Sequence, residues 1–257
     1  MTGFSGVPST YMILLNNSSL RQYRFDSLRY VTQAGGPMAP AIQKEVAEVF
    51  KPAKVYIMYG ATEASARLSY LEPDMLLKKL GSIGKAIPNV ELYVADGKGN
   101  MLAPGQIGEI VARGSNLMAG YWNDPKETAK VMKNGIYFTG DLGRMDEEGY
   151  LYVAGRIKDM IKVGGERVSA KEIEETILEM KEIREVAVIG VNDPILCEAM
   201  KAIIVPKNGA INLNDVKTYL RKKLPNYKMP KYFEFRKCLP KNGSGKIMKE
   251  LLRNSRN

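Results

Sequence analysis

A tyrosine, a glycine, a threonine and a glutamate lie close together in the run Tyr59-Gly60-Ala61-Thr62-Glu63. The glycine allows the backbone to approach a ligand closely, and the tyrosine ring offers a flat face to a base. The threonine hydroxyl suits a phosphate oxygen, and the glutamate suits Mg²⁺, which prefers oxygen ligands. The same run is typical of a helix start, with Thr62 as the N-cap and Glu63 in the first turn.

A second run, Thr139-Gly140-Asp141, places an aspartate beside a glycine and after two aromatic residues. Both carboxylate oxygens of Asp141 can accept hydrogen bonds, and a ribose diol is a suitable donor. An aspartate in an ordinary turn would give the same pattern.

A basic segment runs from Gly155 to Val168 and contains the adjacent glycines Gly164 and Gly165. The glycines allow the segment to bend, and its arginine side chains can bind phosphates with two parallel hydrogen bonds. A basic hairpin that faces water is the alternative interpretation.

A lysine, Lys246, ends a Gly/Ser loop near the end of the chain and is predicted to start a helix. The loop differs from a phosphate-binding loop because Pro240 replaces its first glycine and Ile247 replaces its Ser/Thr. A lysine on a mobile loop can neutralise charge in a transient complex. A simple loop before a helix is the alternative.

The composition excludes several kinds of chemistry. The chain has 257 residues and no histidine, which excludes Ser-His-Asp triads, histidine general bases and histidine metal sites. Its formal charge of +10 favours anionic ligands, and no nucleic-acid motif is found. No apolar run approaches the roughly 20 residues of a membrane span, and no secretory signal is evident. We therefore expect a cytoplasmic protein without a transmembrane segment.

The motifs need elements that position them, and three regions are predicted. Residues 1–84 contain a strand, the helix Pro40–Phe50 and a second strand that ends at Met58, which indicates a partial parallel βαβ subdomain. The loop after such a strand is where open α/β sheets bind ligands. Residues 85–156 are β-rich, with turn residues between the strands, which predicts a small barrel or a distorted sheet.

The third region, residues 157–257, is predicted to be a compact α+β domain. Ser169 and Glu172 have the spacing of a capping box. Asn214 is a candidate N-cap for a later helix that ends before Pro225. The fold class is thus mixed, with α/β and α+β parts.

Taken together, in this order, the four runs resemble successive core motifs of the AMP-forming acyl-CoA synthetases. The run Gln33-Ala34-Gly35-Gly36-Pro37 is similar to an earlier glycine-rich nucleotide motif of that family, with Ala34 where a glycine is common. The resemblance covers nearly the whole chain and indicates the carboxyl-terminal half of such an enzyme.

The resemblance implies a reaction in two halves. A carboxylate attacks the α-phosphate of MgATP to give an acyl-adenylate and pyrophosphate, and the thiol of coenzyme A then attacks the adenylate after the C-terminal domain has rotated. In-line attack on phosphorus depends on positioning and charge stabilisation more than on acid–base catalysis. A chain without histidine can supply both.

The resemblance also implies roles for particular residues. The catalytic residues would be Lys246, Thr62 and Glu63, of which Glu63 would also bind Mg²⁺. The nucleotide would be bound by Gly35, Gly36, Tyr59, Gly60, Asp141 and Arg156, with Tyr59 stacked on adenine and Asp141 on the ribose hydroxyls. The hinge would lie at Lys158. Coenzyme A and the second half-reaction would involve Lys162, Gly164, Gly165, Glu166 and Arg167.

The sequence also lacks one motif of the family. The family has a Ser/Thr/Gly-rich phosphate loop upstream of the first glycine motif, and nothing in this chain matches it. We expect the chain to be a shortened protein or the product of a split gene, with the missing amino-terminal half as a partner, and to be inactive alone.

Two other functions stay open. An adenylating domain of the same fold could load a carrier protein, although no carrier domain follows the last motif. Alternatively, the chain could bind nucleotide without catalysis. The sequence leaves the identity of the acid and the oligomeric state open.

Overall fold

Strands and helices alternate through the first 60 residues of the computed structural model, which describes residues 1–194, 197–207, 211–243 and 245–254. The elements are β1 (Gly3–Gly6), α1 (Pro8–Asn17), β2 (Tyr30–Gln33), α2 (Pro40–Val49) and β3 (Lys54–Tyr59). The three strands are parallel. The predicted βαβ unit is therefore confirmed, and β1 and α1 extend it on the amino-terminal side.

The apolar residues of α2 explain its position. Ile42 and Val46 are buried, and Phe50, directly after the helix, is also buried. Pro40 lies at the first helical position, where its missing N–H costs nothing. These apolar residues thus form the face of the helix that packs.

The following strands pair antiparallel. They are β4 (Ser69–Leu71), β5 (Ser82–Ala86), β6 (Val90–Ala95), β7 (Gly108–Gly114), β8 (Met132–Lys133), β9 (Ile136–Met145) and β10 (Leu151–Arg156), with helix α3 (Pro125–Val131) before β8. Together with β1–β3 they form a ten-stranded sheet in the described residues, in the order β1-β2-β3-β4-β5-β10-β9-β7-β6, with β8 paired to β9.

Strand β5 joins the part of this sheet that contains β1–β4 to the part that contains β10, because it pairs with both β4 and β10. The change from parallel to antiparallel pairing occurs between β3 and β4. Two buried serines support the junction. The Ser69 hydroxyl donates to the Ile83 carbonyl oxygen at 2.7 Å, and the Ser82 hydroxyl donates to the Leu151 carbonyl oxygen at 2.8 Å. The predicted border after residue 84 falls inside β5.

Contacts between residues divide the chain into two compact units. The first unit comprises Met1–Leu15 and Ser19–Ile157, and the second comprises Asn16–Ser18 and Lys158–Asn257. The border after Ile157 lies one residue from the predicted start of the third region. The division into three subdomains itself stays a prediction.

The second unit contains a smaller mixed sheet. Its elements are β11 (Met160–Val163), β12 (Glu166–Ser169), α4 (Ala170–Leu178), β13 (Ile183–Asp193), β14 (Cys197–Pro206), α5 (Leu213–Lys223), β15 (Tyr232–Phe235) and α6 (Lys249–Asn254). The strand order is β12-β11-β14-β13, and β15 pairs with β14 in parallel. Helices α4 and α5 contribute Ile173, Ile177, Val216 and Leu220 to the larger apolar core.

Helix ends in the second unit test the predicted caps. The Ser169 hydroxyl accepts a hydrogen bond from the Glu172 backbone N–H at 3.4 Å, so the cap of α4 is confirmed. The prediction for Asn214 is wrong, because Asn212 is the N-cap and its side chain accepts from the Asn214 backbone N–H. Both asparagines can cap a helix, and the chain pattern alone does not choose between them.

The fold class is mixed α/β, with a large mixed sheet followed by a smaller sheet unit, as predicted. Within the described part of the chain, none of the helices is both long enough and apolar enough to cross a membrane.

Candidate functional site

The loop after β3 lies at the carboxyl end of the parallel strands, where a ligand site was predicted. The loop is closed by two backbone hydrogen bonds, from the Ala66 N–H to the Ala61 oxygen at 3.0 Å and from the Leu68 N–H to the Tyr59 oxygen at 2.9 Å. Gly60 permits this closure because a Cβ there would lie 2.1 Å from the Ala66 carbonyl oxygen. The glycine thus serves the packing of the loop on itself.

Thr62 begins a short 3-10 helix, Thr62–Ala64, and is exposed to solvent. The interpretation of Thr62 as an N-cap is wrong, since the cap position is occupied by Ala61, which offers no side-chain acceptor. The hydroxyl of Thr62 is therefore placed at the surface of the loop. Its contact with a phosphate oxygen stays a prediction.

The carboxylate of Asp141 is held by two side chains of the first unit. Asp141 lies in β9, opposite Arg156 of β10, and is only 8% exposed. The Arg156 Nε–H donates to Oδ1 at 2.9 Å, and the Tyr59 hydroxyl donates to Oδ2 at 2.8 Å. Each carboxylate oxygen has further lone-pair capacity, so hydroxyl donors from a ribose can still bind.

The structure brings Tyr59, Asp141 and Arg156 together, as the predicted roles require. Burial, with the charge of Asp141, raises the pKa of the Tyr59 hydroxyl well above its ordinary value. Tyr59 therefore stays protonated as a donor to Asp141. The bond between the two side chains was not predicted, and the stacking of the ring on adenine stays a prediction.

Glu63 forms a second polar cluster with two tyrosines. The Tyr121 hydroxyl donates to Glu63 Oε1 at 2.6 Å, and the hydroxyl of Tyr137 also interacts with this carboxylate. Partial burial opposes ionisation of Glu63, but the hydrogen bonds, from Tyr121 above all, outweigh it and lower the pKa of the carboxyl. The bond to Glu63 raises the pKa of Tyr121 to about 12.

Tyr121 was missed in the sequence, although the run Met118-Ala119-Gly120-Tyr121 places an aromatic residue directly after a glycine. Only the three-dimensional pairing with Glu63, 58 positions away, identifies it as part of the site.

The donor atoms around Glu63 fit a magnesium ion that is bound mainly by a nucleotide. In the described ranges, no group of three or more carboxylate, histidine or cysteine side chains could hold a metal by itself. Mg²⁺ commonly binds to one or two carboxylates together with substrate phosphates and water. The single Glu63 carboxylate, whose lowered pKa favours its charged form, matches that requirement.

Gly35 and Gly36 follow β2, at the same edge of the sheet as the loop after β3. Gly35 has a positive φ of 82°, a conformation that glycine adopts easily. The buried Gln33 side chain donates to the Gly36 carbonyl oxygen at 2.8 Å and fixes the turn. Nucleotide binding by these glycines stays a prediction.

The predicted coenzyme A residues form a hairpin in the second unit. Strands β11 and β12 are antiparallel, and Lys162 pairs with Arg167. Gly164 and Gly165 make the turn with φ values of 56° and 94°. The exposed residues of this hairpin are Lys162, Gly164, Gly165, Glu166 and Arg167. The structure thus shows the alternative interpretation of this segment, an exposed basic hairpin. A role of the hairpin in thioester formation stays a prediction.

Lys158, the predicted hinge residue, is the first residue of the second unit in this part of the chain. It is exposed and lies in a short 3-10 helix, Ile157–Asp159. The contact-based border thus coincides with the predicted hinge, whose motion stays a prediction.

Lys246 lies in a tight loop that ends in an isolated bridge between Lys241 and Ile247. The Lys246 N–H donates to the Asn242 side-chain oxygen at 2.9 Å, and the Lys246 side chain is exposed. The prediction that Lys246 starts a helix is wrong, because the bridge keeps the backbone extended and α6 begins at Lys249. Ser244, in the same motif, lies outside the described residues.

A cleft of about 610 Å³ lies in the second unit, and none of the predicted site residues lines it. Two of its lysines are already paired, Lys201 with Glu234 and Lys231 with Asp193. We therefore place the candidate site at the Tyr59 loop and not in this cleft.

Two family descriptions match the chain. The family model described as AMP-binding enzyme matches residues 1–122, and the model described as AMP-binding enzyme C-terminal domain matches residues 172–246. A long-chain-fatty-acid–CoA ligase of Bacillus subtilis (strain 168) is 38% identical over 253 residues, which are 98% of this chain and 45% of the relative. The chain therefore spans about half the length of the curated relative that it matches.

Solved structures agree with these matches. One is an o-succinylbenzoate CoA synthetase of Bacillus subtilis, solved with its acyl-adenylate intermediate. It superposes with a TM-score of 0.87 and is 31% identical, and the match covers 100% of this chain and 51% of the synthetase chain. Another is an amide bond synthetase of Marinactinospora thermotolerans. It superposes with a TM-score of 0.89 and is 31% identical, and the match covers 98% of this chain and 51% of the synthetase chain.

Proposed function

Because the chain belongs to the family of AMP-binding enzymes, which form adenylates, we propose that it is part of an acid–thiol ligase. The complete enzyme would convert a carboxylic acid, ATP and coenzyme A into an acyl-CoA, AMP and pyrophosphate. The chain would contribute the ribose and magnesium contacts together with the C-terminal unit.

The observation that supports this proposal best is the bonded group of Tyr59, Asp141 and Arg156. It presents an ionisable carboxylate, held in one orientation by a phenol and a guanidinium, at the edge where parallel strands end. Glu63 lies in the loop that follows Tyr59, and its lowered pKa favours the charged form that a magnesium ion requires. The two carboxylates would therefore bind different parts of one nucleotide.

The first half-reaction would form a bond between a carboxylate oxygen of the acid and the α-phosphorus of ATP. The bond from that phosphorus to the bridging oxygen breaks, and pyrophosphate leaves with the electron pair. The acid is already ionised at neutral pH, so no general base is needed. Magnesium, when bound at Glu63, would lower the negative charge on the phosphates.

Lys246 would act in the same step as a cation near the acid and the α-phosphate. The second half-reaction would use the hairpin with Gly164 and Gly165. The sulfur of coenzyme A attacks the acyl carbon, AMP leaves, and the thiol proton passes to solvent. Hinge movement at Lys158 would allow one unit to serve both steps.

The relatives leave the acid and the acceptor open. Their names include a long-chain fatty acid, o-succinylbenzoate and the formation of an amide bond. A complete enzyme should therefore be tested with a panel of fatty and aryl acids, and with coenzyme A, a carrier protein and amines as acceptors.

AMP binding by the chain itself tests the proposal. We expect isothermal calorimetry to detect binding, and the substitution Asp141→Asn to weaken it at least about ten-fold, because a charge-assisted acceptor of this kind contributes roughly 1.5–3 kcal/mol. Asp26→Asn is the control, since the Asp26 side chain is 74% exposed. Absence of AMP binding by the unsubstituted chain, or equal affinity in both variants, contradicts the proposal.

A further inference from the structure

A segment outside the predicted motifs, Asn116–Tyr121, is bonded along its length to the loop after β3. We call it the strap. The Asn116 side-chain N–H groups donate to the carbonyl oxygens of Ala64 at 3.1 Å and of Arg67 at 3.0 Å. The Ser65 hydroxyl donates to the Asn116 carbonyl oxygen at 2.9 Å. One asparagine thus fixes both sides of the loop turn.

The strap also contacts Glu63 twice. The Met118 N–H donates to the Glu63 carbonyl oxygen at 2.8 Å, and the Tyr121 hydroxyl donates to Glu63 Oε1 at 2.6 Å. The backbone and the carboxylate of the same residue are therefore held from one segment. Rotation of the Glu63 side chain would break the bond from Tyr121.

The loop needs such support because two consecutive non-glycine residues have a left-handed backbone. Ser65 has a φ of 49° and Ala66 a φ of 71°. Each such residue costs on the order of 1–2 kcal/mol, and the side chains of both are exposed, so packing does not repay the cost. The hydrogen bonds from Asn116 can offset this cost, together with the backbone bonds that close the loop.

We propose that the strap is the positioning element of the nucleotide site. Asn116 holds the backbone of the Glu63–Arg67 loop, and Tyr121 orients the Glu63 carboxylate towards the magnesium ion of a nucleotide. The part that concerns Tyr121 rests on the proposed function, whereas the part that concerns Asn116 does not.

Hydrogen exchange of the ligand-free chain tests the role of Asn116. In Asn116→Ala, the amides of Ala66 and Leu68, whose N–H groups close the loop, should exchange at least about ten-fold faster. Asn212→Ala is the matched control, because Asn212 caps α5 in the second unit and its loss should leave these two amides unchanged. Unchanged exchange in Asn116→Ala, or equal acceleration in both variants, overturns the role of Asn116.

Nucleotide affinity tests the role of Tyr121. The substitution Tyr121→Phe should leave the AMP affinity within about two-fold, while the gain in ATP affinity on adding Mg²⁺ falls at least about five-fold. Tyr219→Phe is the matched control, because the Tyr219 hydroxyl donates to Glu179 at the same distance, 2.6 Å. A purely structural role would lower AMP and ATP affinity equally.

The outcomes separate the two proposals. An undiminished magnesium effect in Tyr121→Phe, an equal loss for AMP and ATP, or an unsubstituted chain whose ATP affinity ignores Mg²⁺ overturns the role of Tyr121. Failure of the unsubstituted chain to bind AMP counts against the proposed function, and the exchange experiment then still decides the role of Asn116.

Discussion

The loop after β3 and the loop that carries Lys246 belong to different units and differ in how their charged groups are held. In the first unit, the Asp141 carboxylate is nearly buried and both of its oxygens accept hydrogen bonds. In the second unit, the Lys246 side chain is exposed, and its backbone forms the bonds that shape the loop. One region fixes side chains, and the other fixes a backbone that leaves its side chain free to reorient.

The difference fits two kinds of task. A group that binds the same part of a ligand throughout a reaction gains from being held in advance, because no ordering is needed on binding. A group that acts in one step only can be delivered when it is needed. The hairpin with Gly164 and Gly165 resembles the Lys246 loop in one respect, since its residues are also exposed.

The substitution Lys246→Ala should show the largest effect that depends on this difference. In an enzyme completed with an amino-terminal half, we expect adenylation to fall by about 10²–10³-fold, because one stabilising cation of the transition state is lost. Thioester formation from preformed acyl-adenylate should fall less than about ten-fold, and stability should change by less than about 0.5 kcal/mol. Pyrophosphate release and thioester formation are measured separately.

Equal losses of rate in adenylation and in thioester formation would contradict the prediction that Lys246 acts in one step only. Lys237→Ala, which removes another lysine of the second unit, is a control for loss of charge.

Two glycines sharpen the comparison through stability. Gly60→Ala should destabilise the first unit by about 3 kcal/mol, because the new Cβ would lie 2.1 Å from a backbone oxygen. Gly165→Ala should cost only about 1 kcal/mol, because no atom lies within 4 Å of a Cβ there and only the positive φ of 94° is unfavourable. Urea unfolding followed by circular dichroism measures both, and similar costs would contradict the interpretation.

The contributions of the Glu174 and Asp146 carboxylates to the free energy of unfolding should change with pH in opposite directions. This is the smallest effect that we predict. Burial, which outweighs the ion pair with Lys249, raises the pKa of Glu174 above its ordinary value of 4.5. Burial of Asp146 is outweighed by Lys79 and by the turn N–H groups, so its pKa lies below 3.8. The contribution of Glu174 to stability is therefore present below pH 4.5 and is lost as the pH rises through its raised pKa. The contribution of Asp146 is present above pH 3.8 and is lost as the pH falls.

Urea midpoints of the original chain, Glu174→Gln and Asp146→Asn between pH 3 and pH 8 measure these contributions. Relative to the original chain, Glu174→Gln should gain on the order of 1 kcal/mol as the pH rises above 4.5. Asp146→Asn should gain stability relative to the original chain as the pH falls below 3.8, because the variant lacks the carboxylate whose contribution is lost there. A shared direction for both variants would contradict the prediction.

Much of the fold was predictable because it depends on local patterns. Helix α2 and strand β6 follow apolar spacing, and Ser169 is a local cap with its partner three positions on. The cap at Asn212 and the start of α6 were not predictable, because neighbouring residues offer equivalent signals and tertiary contacts choose between them. The joining of the two sheet parts through β5 depends on pairing with β10, which lies far along the chain.

The residues of the candidate site could be proposed from motifs, but the hydrogen bonds between them could not. The runs around Glu63 and Asp141 mark two ends of the site, and the structure shows them in one unit. The bonds from Tyr59 to Asp141 and from Tyr121 to Glu63 join residues 82 and 58 positions apart. A phenol can bond to any nearby acceptor, so its type and position along the chain do not reveal its partner.

The separation of 82 positions between Tyr59 and Asp141 has a consequence for folding. Closure of so long a loop carries an entropic cost before the contacts that it creates can compensate. The hydrogen bond from the Tyr59 hydroxyl to the Asp141 carboxylate would then form only after β3, β5, β10 and β9 have come together. We expect the strands of the parallel part to acquire structure earlier than this pair, so that ligand recognition emerges among the last events on the folding pathway.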